Sequence, residues 1–481
     1  MRKSEASEER EGWAPSRREL LARGISVAAL ALANIFSAGD SDAKAAKRRK
    51  PRPKAKTKKG RPTATRPRKK ERQVARTPEG PLPGSALYSD LITYYNLGEH
   101  RTATDADLRT SDWLGRQLKA AGLKTEFQSF RVRQFFSRPS ALDLAGMKLR
   151  VFPLWPPRGT GPAPIRARVV NLETGRDLRG AIAAVSFPFD ARATILPSHI
   201  EKIGAAVKAG AVAVLAVTEG HTGDIIAFNT RPSLEQWRVP VALIAARDGA
   251  AVRAAASNGE SASLLMEVRE EQAAEARNVI GRLVRSNRLF VVSTPQSGWF
   301  RCGGERGPGI ALFLALARWA KRSATETSFL FVSTSGHELG GLGMERFIKD
   351  LAPQPGRVMG WLHLGAGIAT YEWEETDRGP HRLHSVDSRR RLMCGKDLID
   401  LLTEPFSGLA GLTPATSQPV GEYEPISKAG YRAFAIAAAS TFHHTPSDSP
   451  EMTGPEILEP VGTALVKSIE AIEAKFGASL R

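Results

Sequence analysis

Polar segments follow several predicted strands, and they carry side chains of the types that bind metal ions. Two carboxylates and two imidazoles stand out: Glu305, Glu338, His363 and His444. Carboxylate and imidazole are the ligands that zinc prefers where no thiolate is present. Loops at the carboxyl ends of parallel strands meet at one edge of a sheet. The four side chains are therefore expected to lie close together and to form a zinc site.

The elements that must position these residues alternate between apolar strands and amphipathic helices. The predicted strands after residue 276 are 278–283, 289–293, 328–333, 358–364 and 433–438, and the helices are 309–320, 344–351 and 455–476. Buried apolar strands that alternate with helices are typical of a mostly parallel sheet covered on both faces. We therefore predict an α/β fold with a mostly parallel central sheet flanked by helices.

Residues 140–272 are predicted to form a smaller inserted α/β domain. Proline and glycine accumulate over 153–164, which indicates a boundary. An alanine-rich helix then leads through AGAVAVLAV, residues 209–217, into a strand. This order resembles a protease-associated domain. The resemblance implies an insert that covers or shapes an active site without contributing a catalytic group.

Five sequence blocks resemble the zinc aminopeptidases of metallopeptidase family 28, a group that also includes glutaminyl cyclases and relatives without peptidase activity. The blocks are ARNVIGRL, GPGIALFLALAR, FLFVSTSGHELGGLGM, ISKAGYRAF and HHTPSDSP. The resemblance covers about residues 90–475, including the insert. The resemblance implies an aminopeptidase-like fold and a peptide or protein substrate that is acted on near its own amino terminus.

Compared with the family, the implied metal site is altered at several positions. Glu305 stands for the bridging aspartate, Glu338 for the ligand glutamate and His444 for the final histidine, and these three belong to one metal site of the family. Thr294 replaces a ligand histidine, and His363 replaces an aspartate. Glutaminyl-cyclase-like members bind one zinc with the corresponding three ligands. The resemblance thus implies one zinc ion, or none, on Glu305, Glu338 and His444, with His363 close enough to assist.

The general base of the family is also changed, because His337 replaces the first of two paired glutamates. Loss of a general base typically lowers a rate about 10²–10⁴-fold. An imidazole titrates near neutrality, so His337 is the candidate base. Two hypotheses follow. The first is a single-zinc hydrolase with His337 as base. The second is a catalytically silent pseudopeptidase that binds a peptide, an envelope polymer or a partner protein through the cleft that corresponds to the family's active site.

Alternatives remain for individual residues. The extra methylene of Glu305 would allow its carboxylate to point away from the site or to pair with Arg306 or Arg301. His443 is interpreted as a neighbour of the ligand His444. No Gly-x-Ser-x-Gly motif accompanies the serines near these segments, which argues against a serine hydrolase.

Composition supports a folded body rather than a basic nucleic-acid-binding protein. The chain has 481 residues, 42% hydrophobic and 25% charged, which excludes wholesale disorder and collagen-like repeats. Its net charge is +19, but residues 46–76 alone carry +15, and the chain from Thr77 onward carries only +4. The two cysteines, Cys302 and Cys394, are interpreted as structural, with a disulfide as the alternative.

The amino terminus resembles a twin-arginine export signal. Arg17 and Arg18 precede an apolar run over 24–36, and the small-x-small pattern at 43–45 suits a signal peptidase. We predict an export signal at 1–45 and a periplasmic or cell-envelope location. The alternative is a tail that contains an arginine pair by chance. No transmembrane helix is predicted in the mature protein, since no run reaches eighteen apolar residues.

Residues 46–84 are predicted to be a basic, proline-rich disordered tether. Such a segment would act as a plain linker or would bind a polyanionic envelope component through 46–76. Residues 46–76 contain no aromatic side chain to stack on bases, which argues against nucleic acid as a partner. The peptidase-like domain is then expected in two parts, 85–139 and 273–481, on either side of the insert.

Overall fold

The computed structural model of the chain describes residues 80–377 and 379–477. The predicted export signal and residues 46–79 of the predicted tether lie outside the described residues. Gly80 and Leu82 were expected in the tether, but they contact the folded body. The Gly80 N–H donates to Glu459 Oε1 at 2.7 Å, and Leu82 is buried in the main core.

Helices and short strands alternate along the described chain. The helices are α1 (Gly84–Asn96), α2 (Asp105–Ala120), α3 (Pro197–Lys208), α4 (Gly249–Asn258), α5 (Gly307–Arg322), α6 (Leu342–Asp350), α7 (Ile399–Thr403), α8 (Tyr423–Lys428) and α9 (Pro455–Phe476). The strands are β1 (Lys124–Ser137), β2 (Ala141–Leu144), β3 (Met147–Pro153), β4 (Ile165–Asn171), β5 (Ile182–Phe187), β6 (Ala213–Thr218), β7 (Val241–Ala245), β8 (Ser261–Leu265), β9 (Val268–Leu283), β10 (Leu289–Pro295), β11 (Ser328–Thr334), β12 (Val358–Leu364), β13 (Tyr371–Thr376), β14 (Gly379–Val386), β15 (Arg391–Cys394), β16 (Pro414–Ala415) and β17 (Ala433–Ala437).

The largest sheet has eight strands in the order β1-β9-β11-β10-β12-β17-β15-β16. Its centre, β11-β10-β12-β17, is parallel, whereas β1 and β9 pair antiparallel with their neighbours. Strand β15 pairs antiparallel with β17 and parallel with β16. The α/β architecture predicted from the sequence is confirmed. The antiparallel margins make the sheet mixed, and they arise because β9 and β15 do not follow a crossover helix.

Apolar side chains on both faces of the sheet bury the central strands. Every residue of β11 and β12 is buried, as expected for strands covered on both sides. Helix α5 begins with a proline in its first turn, ends with Lys321 and Arg322, and buries nearly all the positions between. It packs with α1 and α9 on one face. Helices α6 and α8 cover the other face.

Between β1 and β9 the chain forms a closed barrel of the strands β2-β3-β7-β6-β5-β4-β8. Two apolar clusters fill this region, one under α3 and one under α4. A further two-stranded hairpin, β13 and β14, projects after β12 and was not predicted from the sequence. Within the described residues, no helix is both long enough and apolar enough to cross a bilayer.

Candidate functional site

The loop that carries Glu305 is held in place by a carboxylate from a distant segment. Asp448 accepts hydrogen bonds from the Gly304 N–H at 2.7 Å and from the Glu305 N–H at 2.9 Å. Added Cβ atoms at Gly303 and Gly304 would lie 2.3 Å and 2.6 Å from neighbouring atoms. Glycine is therefore required for the loop to approach the segment that contains Asp448, and this approach brings Glu305 to the residues that follow β17.

Three side chains form the one group in the described chain that is suited to a metal ion. The ligand atoms of Glu305, His443 and His444 all lie within 4.8 Å of one another. Glu305 Oε1 is 3.5 Å from His444 Nε2, and Glu305 Oε2 is 4.0 Å from His443 Nδ1. The structure thus brings the predicted ligands Glu305 and His444 together, and it adds His443.

The hydrogen bonds of His444 define which ring nitrogen is free. His444 Nδ1 lies 3.0 Å from the Ala227 carbonyl oxygen, which can only accept a hydrogen bond, so Nδ1 carries the proton in the neutral ring. Nε2 then presents its lone pair toward Glu305 Oε1, another acceptor. His444 Nε2 and Glu305 Oε1 are buried and have no hydrogen-bond partner, and the same is true of His443 Nδ1. The backbone of His444 has φ 58°, a left-handed conformation that costs energy in a non-glycine residue.

Arg306 supplies a buried positive charge beside this group. Its Nη2 is 2.8 Å from Glu305 Oε1, and both side chains are 1% exposed. Neither of these two atoms forms an aligned hydrogen bond, so the contact is electrostatic and leaves lone pairs of Oε1 free. Burial opposes ionisation of Glu305, but the charge of the Arg306 guanidinium outweighs it and holds the pKa of that carboxyl well below its usual range. Glu305 is therefore ionised.

Glu338 is buried, but its two oxygens are used in contacts with the protein. Oε1 accepts from the Thr102 N–H at 2.5 Å, and Oε2 accepts from Ser297 Oγ at 2.8 Å. Glu338 does not belong to the group formed by Glu305, His443 and His444. The three-ligand set expected from the sequence, with Glu338 as a member, is not the set that the structure brings together.

His363 lies within β12 rather than in a loop after it. Its Nδ1 is 2.9 Å from Ser293 Oγ on the adjacent strand β10, and Trp361 Nε1 donates to the same oxygen at 2.8 Å. Burial lowers the pKa of His363 to about 4. His363 is therefore a neutral ring in a hydrogen-bonded core position, and it is not part of the metal-type group.

His337 is paired with a carboxylate that the sequence analysis did not identify. His337 Nδ1 is 3.2 Å from Glu422 Oε1, and Thr334 Oγ1 donates to Glu422 Oε2 at 2.6 Å. Glu422 comes from the start of α8, far along the chain. Burial, followed by the charge of Arg306, lowers the pKa of His337 well below its usual range, so the ring is neutral near pH 7. A neutral imidazole with one nitrogen held by a carboxylate is an arrangement suited to a base.

The barrel region lies directly against the site through its segment between β6 and β7. Beyond the contact of Ala227 with His444, the Thr230 N–H donates to the Glu338 carbonyl oxygen at 2.9 Å. Asn229 Oδ1 accepts from Trp299 Nε1 at 3.0 Å. This segment therefore fixes the ring orientation of His444 and closes one side of the site.

Two site residues were not predicted in these roles: His443 was interpreted as a neighbour of His444 rather than as a ligand, and Glu422 was not identified. The adjacent histidine pair was a visible signal for His443, whose ring stacks on that of His444 at 3.9 Å. For Glu422 the signal was weak, a glutamate just upstream of the block ISKAGYRAF. Cys302 and Cys394 are both buried free thiols.

Comparisons with known proteins place this fold. No protein-family model matches the chain. No curated protein matches it either. Among solved structures, it is similar to BSAP, a zinc aminopeptidase from Bacillus subtilis, with a TM-score of 0.64 and 18% identity over 81% of this chain and 95% of that one.

Two further structures agree with this similarity. A peptidase M28 precursor from Shewanella amazonensis has a TM-score of 0.63 at 15% identity, over 81% of this chain and 92% of that one. An aminopeptidase from Aneurinibacillus sp. strain AM-1 has a TM-score of 0.54 at 17% identity, over 81% and 93%. The chain therefore has the fold of the M28 zinc aminopeptidases, as the sequence resemblance implied.

Proposed function

We propose that the protein is a single-zinc hydrolase that acts at the amino terminus of peptides, with Glu305, His443 and His444 as the metal ligands. The observation that carries the proposal is twofold: Glu305, His443 and His444 each place a ligand atom within 4.8 Å of the others, and each has a buried side-chain atom without a hydrogen-bond partner. Buried acceptors without partners are costly, and a cation between them removes the cost. One carboxylate oxygen and two imidazole nitrogens suit zinc, with a fourth position open.

The other residues of the site support proton transfer. When bound, zinc would supply Lewis-acid polarisation of the scissile carbonyl and lower the pKa of water. His337 Nδ1–H donates a hydrogen bond to Glu422 Oε1. Nε2 of His337 is then the atom that takes a proton from the attacking water. The lowered pKa of His337 makes it a weak base. We therefore expect slow hydrolysis compared with an enzyme that uses a carboxylate base.

The second candidate is a pseudopeptidase that binds peptides without cleaving them. It is favoured by Arg306, whose guanidinium at 2.8 Å already balances the charge of Glu305 without a metal ion. A dication would have to bind beside this fixed positive charge. The two functions therefore differ first in whether the site takes zinc at all.

Zinc stoichiometry separates the two functions. The purified protein is loaded with zinc, desalted and analysed by mass spectrometry, beside the variants Glu305→Gln, His444→Ala and His384→Ala. His384 is an exposed histidine on β14 and serves as the control for adventitious binding. We expect about one zinc per chain in the wild type and in His384→Ala, and substantially less in the two ligand variants.

Hydrolysis of aminoacyl-arylamides then tests the reaction. Activity that needs zinc and falls in His337→Ala supports the hydrolase. A wild type that holds no stoichiometric zinc after loading would exclude it and favour the pseudopeptidase. Zinc without hydrolysis, in the presence of peptide binding, would also favour the pseudopeptidase.

Location and the remaining segments belong to the same proposal. We infer that residues 1–45 direct export to the periplasm or cell envelope, that 46–76 tether the body or bind a polyanion there, and that the barrel is a protease-associated insert. The arginine pair, the +15 charge and the AGAVAVLAV segment support these roles. Retention of the variant with Arg17→Lys and Arg18→Lys in the cytoplasm tests export. Loss of heparin binding in a chain that begins at Thr77 tests the tether.

A further inference from the structure

A cavity of about 240 Å³ adjoins the group formed by Glu305, His443 and His444. It lies between the barrel, the β13–β14 hairpin and the segment that follows β17, and His443 forms part of its wall. We call it the hairpin cavity. Pockets for drug-sized ligands span about 300–1,000 Å³. The hairpin cavity is therefore of a size for one amino-acid side chain, placed beside the proposed metal ligands.

Two aromatic residues, Phe189 and Trp373, line the hairpin cavity. Phe189 of the barrel region is 45% exposed, and its ring packs edge-on against His221 at 4.7 Å. Across the cavity, Trp373 of β13 packs against Phe442 at 4.8 Å. Aromatic faces bind the aliphatic stem of a long side chain and attract a cation at its end.

The unbalanced charge of the hairpin cavity is negative. Glu374 and Glu375 of β13 both lie in its wall. Within the described part of the chain, Glu374 has no ion-pair partner, and Glu375 contacts only the imidazole of His221, at 3.0 Å. The other charged residues of the wall, Asp190 and Arg389, are each already paired with a neighbour of opposite sign.

A buried hydroxyl also lies in the wall without a partner. Ser440 is 8% exposed, lines the hairpin cavity and has an Oγ that makes no hydrogen bond to the described residues. A buried hydroxyl normally finds a partner. Because its Oγ is shielded from solvent, Ser440 closes the wall of the hairpin cavity beside His443, whose N–H donates to the Ser440 carbonyl oxygen at 3.0 Å.

We propose that the hairpin cavity binds a basic side chain, lysine or arginine, of a peptide whose backbone lies at Glu305, His443 and His444. The aromatic walls contact the stem, and Glu374 and Glu375 balance the charge at its end. An α-ammonium group alone would leave most of the volume empty. This proposal rests on the proposed function only in that a peptide is the ligand of the site.

Binding of amino-acid amides tests this specificity without requiring zinc or catalysis. Lysinamide and norleucinamide have similar stems and differ in the terminal charge. Their dissociation constants are measured by calorimetry on the full chain, for the wild type, for Glu374→Gln with Glu375→Gln, and for Glu372→Gln. Glu372 lies on the same strand, bonds Ser385 and is not in the cavity wall, so it is the matched control.

We expect lysinamide to bind at least tenfold more tightly than norleucinamide in the wild type and in Glu372→Gln. In the double variant the preference should fall to less than threefold. Equal binding of the two amides by the wild type, or a preference that persists in the double variant, would overturn the proposal. Charge-dependent binding without zinc or hydrolysis would refute the hydrolase and leave the cavity assignment standing. Hydrolysis without a charge preference would refute the cavity assignment and leave the hydrolase standing.

Discussion

Replacement of Arg306 by glutamine should destabilise the metal-free protein far more than loss of a surface ion pair. The charges of Arg306 and Glu305 are 2.8 Å apart, and both side chains are 1% exposed. At an effective dielectric constant of 20, that separation corresponds to about 6 kcal/mol of attraction. Removing one partner of a buried pair costs about 3–5 kcal/mol, because the other charge stays buried without compensation. Glutamine can keep a hydrogen bond to the Ser297 carbonyl oxygen, which Arg306 Nε now makes at 3.1 Å.

Urea denaturation followed by circular dichroism measures this loss, with the slope of the transition as a check on the unfolded state. Arg138→Gln is the control, since Arg138 pairs with Glu267 at 3.2 Å but is 79% exposed. We expect it to lose no more than about 1 kcal/mol. Saturating zinc should recover much of the loss in Arg306→Gln, because a bound cation then balances Glu305.

A double-mutant cycle separates the loss of the Glu305–Arg306 interaction from other destabilising effects of each substitution. Glu305→Gln combined with Arg306→Gln removes both charges. The double variant should therefore lose about 3 kcal/mol less unfolding free energy than the sum of the losses in the two single variants. Arg306→Lys keeps the charge and should lose less than Arg306→Gln. Additive effects, or a loss below about 1 kcal/mol in Arg306→Gln, would refute the assignment of a coupled buried pair.

Three further outcomes follow from the structure. Glu422→Gln removes the carboxylate 3.2 Å from His337 Nδ1, and in the zinc-loaded protein it should lower kcat roughly 100-fold with little change in KM; an unchanged kcat on aminoacyl-arylamides would contradict the role of the pair. Gly343→Ala places a Cβ 2.0 Å from the Ser335 carbonyl oxygen and should cost at least about 1–3 kcal/mol in urea denaturation, whereas Gly356→Ala, with no atom within 4 Å, should cost less than about 0.5 kcal/mol. Burial lowers the pKa of His199 to about 4, below the unfolded value of about 6.5, so its contribution is complete above pH 6.5 and is lost as the pH falls toward 4. The contribution of His199 to the free energy of unfolding should therefore decrease by about 2–3 kcal/mol over that range. The total decrease should be smaller by that amount in His199→Gln than in the wild type, and equal decreases in the two proteins would disprove the attribution to this residue.

Element type and position were largely readable from the sequence. The strand predicted at 358–364 and the helix predicted at 455–476 have the bounds found in β12 and α9. Apolar periodicity is local information, and each segment carries enough of it to define itself. The β13–β14 hairpin was missed because its exposed residues carry no apolar alternation, with a burial pattern that is mostly exposed or half-buried.

Residue types at the site were also readable, but their partners were not. The sequence identified Glu305, His337 and His444 as polar residues near one sheet edge, and it left open whether Glu305 would pair with Arg306. The structure pairs them, and it uses both oxygens of Glu338 in hydrogen bonds to Thr102 and Ser297. The contacts of Glu338 depend on residues far apart in the chain that only the packed fold brings within 3 Å.

By itself the sequence determined the α/β fold and the separation of a +15 segment from a nearly neutral body. Tertiary structure decided which side chains meet. It added His443 to Glu305 and His444, oriented His337 by Glu422, and placed Ala227 on His444. The physical reason is that composition and periodicity act over a few residues, whereas hydrogen bonds and buried charges are satisfied by whichever groups the fold brings together.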